Sequence, residues 1–157
     1  MSRSLGPALP PALLALLSQT DLESRLGRAL PFVTRDADDS LHPMLCSYLE
    51  WLAVDARTLR LAIAAGSRSA RNLEARRVGT LVLVDADVTA YVKCRAAAAP
   101  RRFGDLLRFS LAVEDVLDDR PTEAEGEARI ASGITYRPRP SLDAPWVQAV
   151  LAALRAE

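Results

Sequence analysis

Six runs of β-type residues follow one another at hairpin spacing, interrupted by a single helical stretch, and that order excludes most architectures open to a chain of this size. The runs are residues 31–34, 44–53, 58–64, 78–84, 88–95 and 107–113. In the fifth, Val88, Ala90, Val92 and Cys94 alternate with Thr89, Tyr91, Lys93 and Arg95, the period of two expected of a strand with one buried face. Leu107, Phe109, Leu111 and Val113 alternate in the same way with Arg108, Ser110, Ala112 and Glu114. Turn formers at 36–40, 54–57 and 85–87 punctuate the series. A parallel sheet needs a helix between each strand and the next. Only 67–77 reads as such a helix, with Ser67 as N-cap and Gly79 as its stop, so the pattern predicts a mainly β (α+β) fold: a small six-stranded antiparallel barrel with helices outside it.

The flanks are helical. Pro10 and Pro11 precede a leucine-rich stretch ending at Ser18, and Thr20 or Asp21 caps a second short helix that stops at Gly27. Residues 96–104 read as a linker. Pro121 suits the first position of a helix whose opening turn carries Glu123, Glu125 and Glu127, and 145–155 reads as a terminal amphipathic helix. The expected organisation is one domain: N-terminal helices over 1–28, a barrel core over 29–117 and a C-terminal helical segment over 118–157.

Composition narrows the function classes. Twenty basic and twenty acidic residues give zero formal charge, without the basic footprint of a phosphate-gripping surface, so no nucleic-acid partner is expected. Nineteen of the basic residues are Arg against the single Lys93, and with 27 Ala this points to the codon bias of a GC-rich, bacterial genome. Cys46, Cys94 and one histidine make neither a disulfide framework nor a four-ligand zinc site, so no metal centre is expected and a reducing cytoplasm is the natural setting. The apolar stretch 8–17 is broken by proline and is half the length of a bilayer span, which argues against a membrane partner.

Chemistry concentrates at 62–73. An apolar strand runs into Gly66, Ser67, Arg68 and Ser69, and a helix begins there, with Arg71 and Asn72 in its next turn. The first turn of a helix has unpaired N–H groups and partial positive charge, and an arginine fork adds a donor suited to phosphate. The same residues also suit a plain capped helix with solvated arginines. One glycine and no Gly-Lys-Ser/Thr exclude a Walker loop or dinucleotide fingerprint. His42 and Cys46 share a strand face, but a spacing of four puts their Cα atoms about 13 Å apart, too far for a nucleophilic pair. Tyr48, Trp51 and Tyr91 suit either a stacking role or the core.

The order of these pieces, with TLRLAIAAGSRSARNLEARRVGTLVLV followed by TAYVKCRA, resembles the flavin-binding split barrel of the pyridoxamine 5′-phosphate oxidase-like superfamily over residues 26–116. The resemblance implies a six-stranded split β-barrel that forms a homodimer and binds flavin mononucleotide (FMN) at the subunit interface, acting on a small-molecule substrate as an oxidoreductase. It implies that Ser67, Arg68 and Ser69 hold the phosphate and that Asn72 lies near the phosphate or ribityl chain. Leu45, Cys46, Ser47 and Tyr48 would run along the flavin ring, with Ile63 and Ala64 beside them. The sequence departs from the family at Ser69, where the oxidases carry lysine, and at Ile63, where a hydroxyl residue is common. The C-terminal Arg-and-His segment of the oxidases is not evident, so strict pyridoxamine phosphate oxidase activity is not expected. The alternative is a split barrel that has lost tight FMN binding and serves as a binding module for haem, a deazaflavin or another ligand.

Overall fold

The computed structural model of the chain describes residues 2–86, 88–122, 124, 126 and 129–157. Among these residues ten strands and four α-helices follow in the order β1 (Arg3–Ser4), α1 (Pro11–Leu17), α2 (Leu22–Arg25), β2 (Arg28–Arg35), β3 (Leu41–Ser47), β4 (Trp51–Asp55), β5 (Thr58–Ala64), α3 (Arg68–Arg76), β6 (Val78–Asp85), β7 (Val88–Ala96), β8 (Arg101–Phe103), β9 (Leu106–Asp118), β10 (Ile134–Thr135) and α4 (Pro145–Arg155). Every pairing is antiparallel. The strands β2-β6-β7-β9-β5-β4 form one continuous curled half-barrel sheet, with β3 added as a hairpin on β2 and β10 also paired with β2, at the end of the path opposite β4.

The curl comes from β9. Its residues 106–112 pair with β5 while 111–118 pair with β7, so one 13-residue strand belongs to two parts of the sheet. A register shift between Lys93 and Cys94 lets β7 follow the bend, as β-bulges do. Inward residues from all these strands meet in a core containing Phe32, Trp51, Leu59, Leu61, Leu81, Leu83, Phe109 and Leu111, none of them more than 2% exposed. Phe32 and Trp51 pack edge to face, with ring centroids 5.1 Å apart and an interplanar angle of 74°.

Three local expectations change. The run 44–53 is two strands, because Ser47 and Glu50 form a capping box around a 3₁₀ turn at Tyr48–Glu50 and the chain changes direction there. The helix after β5 is closed by Arg77 in the left-handed conformation (φ 64°), not by Gly79. Gly79 lies within β6, where an added Cβ would stand 2.3 Å from Phe32 Cζ; the glycine is there because the ring crosses its backbone. The stretch 96–104 is no plain linker, since β8 folds back onto β9. Pro121 stands in irregular chain, and Glu123, Glu125 and Glu127 lie outside the described residues.

The flanking helices match the reading of their sequences. Pro11 starts α1, which buries Leu13 and Leu17. Helix α4 buries Val147, Val150, Leu151, Ala153 and Leu154. Its C-terminal carbonyls are held by two arginines of the sheet: Arg60 donates to Leu154 O (2.8 Å) and Ala156 O (2.9 Å), and Arg108 donates to Ala153 O (3.2 Å) and Ala156 O. Cations at the carbonyl end also suit the helix dipole. No helix is long and apolar enough to cross a membrane among the described residues.

Candidate functional site

Strand β5 ends at Ala64, the chain turns through Ala65 and Gly66, and α3 begins. Ser67 is the N-cap: its amide donates to Ala64 O (3.0 Å) and its Oγ accepts from Ala70 N (3.1 Å). Arg71 N donates to Ser67 O (3.3 Å) and the Arg71 guanidinium to Gly66 O (2.8 Å). The amides of Arg68 and Ser69, the first two helical residues, are left without an intrahelical acceptor, as helix geometry requires. Nothing lies within 4 Å of where a Cβ on Gly66 would stand, so the approach to this end is open. Two free amides, a hydroxyl hydrogen on Ser67 and the exposed Arg68 guanidinium form a donor set suited to an anion.

The side chains deeper in α3 turn elsewhere. Asn72 is buried and donates both amide hydrogens to the β2–β3 hairpin, to Thr34 Oγ1 (3.0 Å) and Asp36 Oδ1 (2.7 Å), leaving its carbonyl oxygen as the polar atom for any ligand. Arg68 lies 3.6 Å from Asp36 Oδ2. Ser69 is 1% exposed and its Oγ has no hydrogen-bond partner. A residue at 69 therefore packs inward in this chain, and the lysine of the oxidases would have to leave that position to reach an external phosphate.

Cys46, Ser47 and Tyr48 form a second group. Cys46 and Tyr48 are in the core, and burial pushes both their side-chain pKa values up. Ser47 donates to Glu50 Oε2 through its amide (2.5 Å) and its hydroxyl (2.9 Å), so that backbone donor is occupied. Burial raises the pKa of Glu50, opposed by these two hydrogen bonds. Tyr48 lies under the Arg25 guanidinium at 5.9 Å and lines a small cavity with residues of α1 and α2. Ser47 faces Ala29, whereas Asn72 bonds Thr34 five residues along β2, a separation of roughly 17 Å. Within one chain, then, Ser67, Arg68, Ser69 and Asn72 are gathered with Asp36, while the Cys46–Tyr48 group stands apart. Ile63 is buried and Ala64 exposed at the β5 end that links strand to helix.

His42 and Cys46 do not form a pair: His42 faces Thr34 and Cys46 faces Leu30 in the ladder. Sequence reading missed Asp36, seen only as a turn former, because its role comes from a hairpin folding back on α3. It also missed a cavity of about 840 Å³ lined by Arg3, Arg25, Arg28, Arg120 and apolar residues of α1, whose arginines are scattered across the chain. No group of three or more His, Cys, Asp or Glu side chains is placed to hold a metal among the described residues.

No protein-family model matches the chain, and no curated protein matches it. Solved structures do. A protein from Lactobacillus delbrueckii, provisionally assigned as a pyridoxamine 5′-phosphate oxidase, superposes with a TM-score of 0.57 at 15% identity, over 73% of this chain and 98% of that one. The flavin reductase PheA2 superposes with a TM-score of 0.51 at 10% identity, over 84% and 100% of the two chains. The styrene monooxygenase flavin reductase of Pseudomonas putida S12 gives 0.50 at 10% identity, over 59% and 80%. At these identities the likeness is one of fold. The chain is a split-barrel protein with the architecture of the pyridoxamine 5′-phosphate oxidase-like proteins and flavin reductases.

Proposed function

We propose that the chain is an FMN-binding oxidoreductase that works as a homodimer on a small-molecule substrate, with the FMN phosphate at the N-terminus of α3. The observation that carries this reading is the donor set at that helix end: the amides of residues 68 and 69, the Ser67 hydroxyl and the exposed Arg68 fork. Ser67 keeps its hydroxyl hydrogen for the anion because its oxygen already accepts from Ala70 N. Ala64 and Gly66 leave the approach open. FMN, when bound, supplies the transfer of a hydride or electron pair; the chain supplies binding and orientation.

The homodimer rests on β3. Among the described residues this strand pairs only with β2, and its outward face carries Leu41 (73% exposed), Pro43 and Leu45 (63% exposed). An apolar edge strand of this kind needs cover, and a second copy supplies it. A reducing cytoplasm suits the two free thiols.

The rival reading, a split barrel that no longer binds FMN tightly, is favoured by one observation: Asp36 places its own carboxylate beside Arg68. Absorbance and mass spectrometry of the purified protein, with an FMN titration followed by thermal shift and size-exclusion chromatography, separate the two. A yellow dimer stabilised by FMN supports the proposal; a colourless protein with no FMN shift overturns it.

A further inference from the structure

The cavity of about 840 Å³ lies at the end of the sheet where the β6–β7 turn, the end of β9 and the N-terminal segment meet. None of its lining comes from Ser67–Asn72, Cys46–Tyr48 or Ile63–Ala64, so it is separate from the open end of α3, and it adjoins the Cys46–Tyr48 group only through Arg25. Its apolar wall is Leu5, Leu9, Leu13, Leu16 and Val88. Among the described residues its polar wall is unbalanced: Arg3, Arg25, Arg28 and Arg120 face only Asp85 and Asp118, in a chain whose total charge is zero.

The pairing explains where the excess sits. Arg28 pairs with Asp85. Asp118 is shared by Arg120 (2.8 Å) and Arg3 (3.6 Å), and the Arg120 hydrogen bond holds its pKa below the usual carboxylate range. Arg25 has no carboxylate partner among the described residues; its guanidinium lies over the Tyr48 ring. A volume of this size holds a drug-sized molecule, and such pockets pair an apolar wall with a few fixed polar groups. We propose that this cavity binds an organic anion with an apolar body, the body against the α1 leucines and the anionic group on Arg25 with help from Arg28. The assignment does not depend on flavin binding elsewhere.

Anilinonaphthalene sulfonate has this chemistry and reports binding by fluorescence. Titrated into the full chain, it should bind with one saturable site. Arg25→Gln, which removes the charge from a half-buried arginine without a carboxylate partner among the described residues, should weaken it about tenfold, the usual size of a charge-assisted hydrogen bond. The uncharged phenylnaphthylamine should bind Arg25→Gln and the unaltered chain alike. Ala12→Trp, at an exposed position of α1 facing the cavity, should abolish binding of both probes by filling the space. Leu45→Ser, on the apolar edge strand, should change nothing. Unchanged affinity in both Arg25→Gln and Ala12→Trp, loss of binding in Leu45→Ser, or displacement of the probe by FMN would overturn the assignment.

Discussion

Arg68 and Asp36 stand 3.6 Å apart, guanidinium to carboxylate, and the other oxygen of Asp36 accepts a hydrogen bond of 2.7 Å from Asn72. The hairpin between β2 and β3 is thereby clipped to the first two turns of α3. The clip also gives Arg68 an internal anion, so any phosphate at this helix end competes with or displaces Asp36. Arg68 is well exposed, and a pair of this kind contributes about 1 kcal/mol or less, little enough for a dianion to overcome.

Helix α4 should depend on Arg108. Its side chain is buried, and it donates to the last carbonyls of the helix from within the sheet. Arg108→Ala leaves Ala153 O without this donor, Ala156 O with Arg60 alone and a void in the sheet, and is expected to lower stability by about 2–4 kcal/mol. Arg60→Ala, at a less buried position, should cost less. Urea denaturation followed by circular dichroism measures both; equal and small effects would show that the helix end is held by packing alone.

Gly79→Ala should destabilise the barrel by about 1–3 kcal/mol through overpacking, because the new methyl would overlap the Phe32 ring. Adding Phe32→Leu to Gly79→Ala should recover part of that loss in thermal unfolding, and an additive double variant would contradict the contact.

This position illustrates what could be read from the sequence. The alternating strands, the N-cap at Ser67, Pro11 and the terminal helix follow from local pattern, and each is found where that pattern put it. Gly79 was misread because its reason is a ring from β2, far away in sequence. Asp36 and the arginines of the large cavity were missed for the same cause: residues separated by tens of positions acquire a joint role only when the sheet brings them together. Ser69 looked like a phosphate ligand by position in the motif, yet the helix turns its hydroxyl into the protein.

Both thiols should be inert in the folded protein. Burial pushes the Cys94 thiol to about 12, with Glu114 adding to the shift, and the Cys46 thiol is raised as well. A disulfide reagent at mild alkaline pH is expected to find no rapidly reacting thiol before denaturant is added and two after it. One fast thiol would contradict the placement of β3 or β7.

Glu50 should make the protein less stable as pH rises. Its folded-state pKa is raised by burial, so between the ordinary value of 4.5 and the raised one the folded chain holds a proton that the unfolded chain has released. The stability linked to that proton is complete below this window and lost on passing up through it. Glu50→Gln keeps an acceptor for Ser47 and removes the titration. The melting-temperature difference between the unaltered chain and Glu50→Gln should therefore shift in favour of Glu50→Gln as pH rises through the window, and a flat difference would contradict a buried, titrating carboxylate.

In the proposed function the open end of α3 is a phosphate site held in check by Asp36. Isothermal titration of FMN into the unaltered chain, Asp36→Asn and Arg68→Gln tests it most directly. Asp36→Asn is expected to bind FMN more tightly than the unaltered chain, because the competing carboxylate is gone, while Arg68→Gln should bind about tenfold more weakly. Equal affinity in all three proteins, or no binding by any of them, would contradict it.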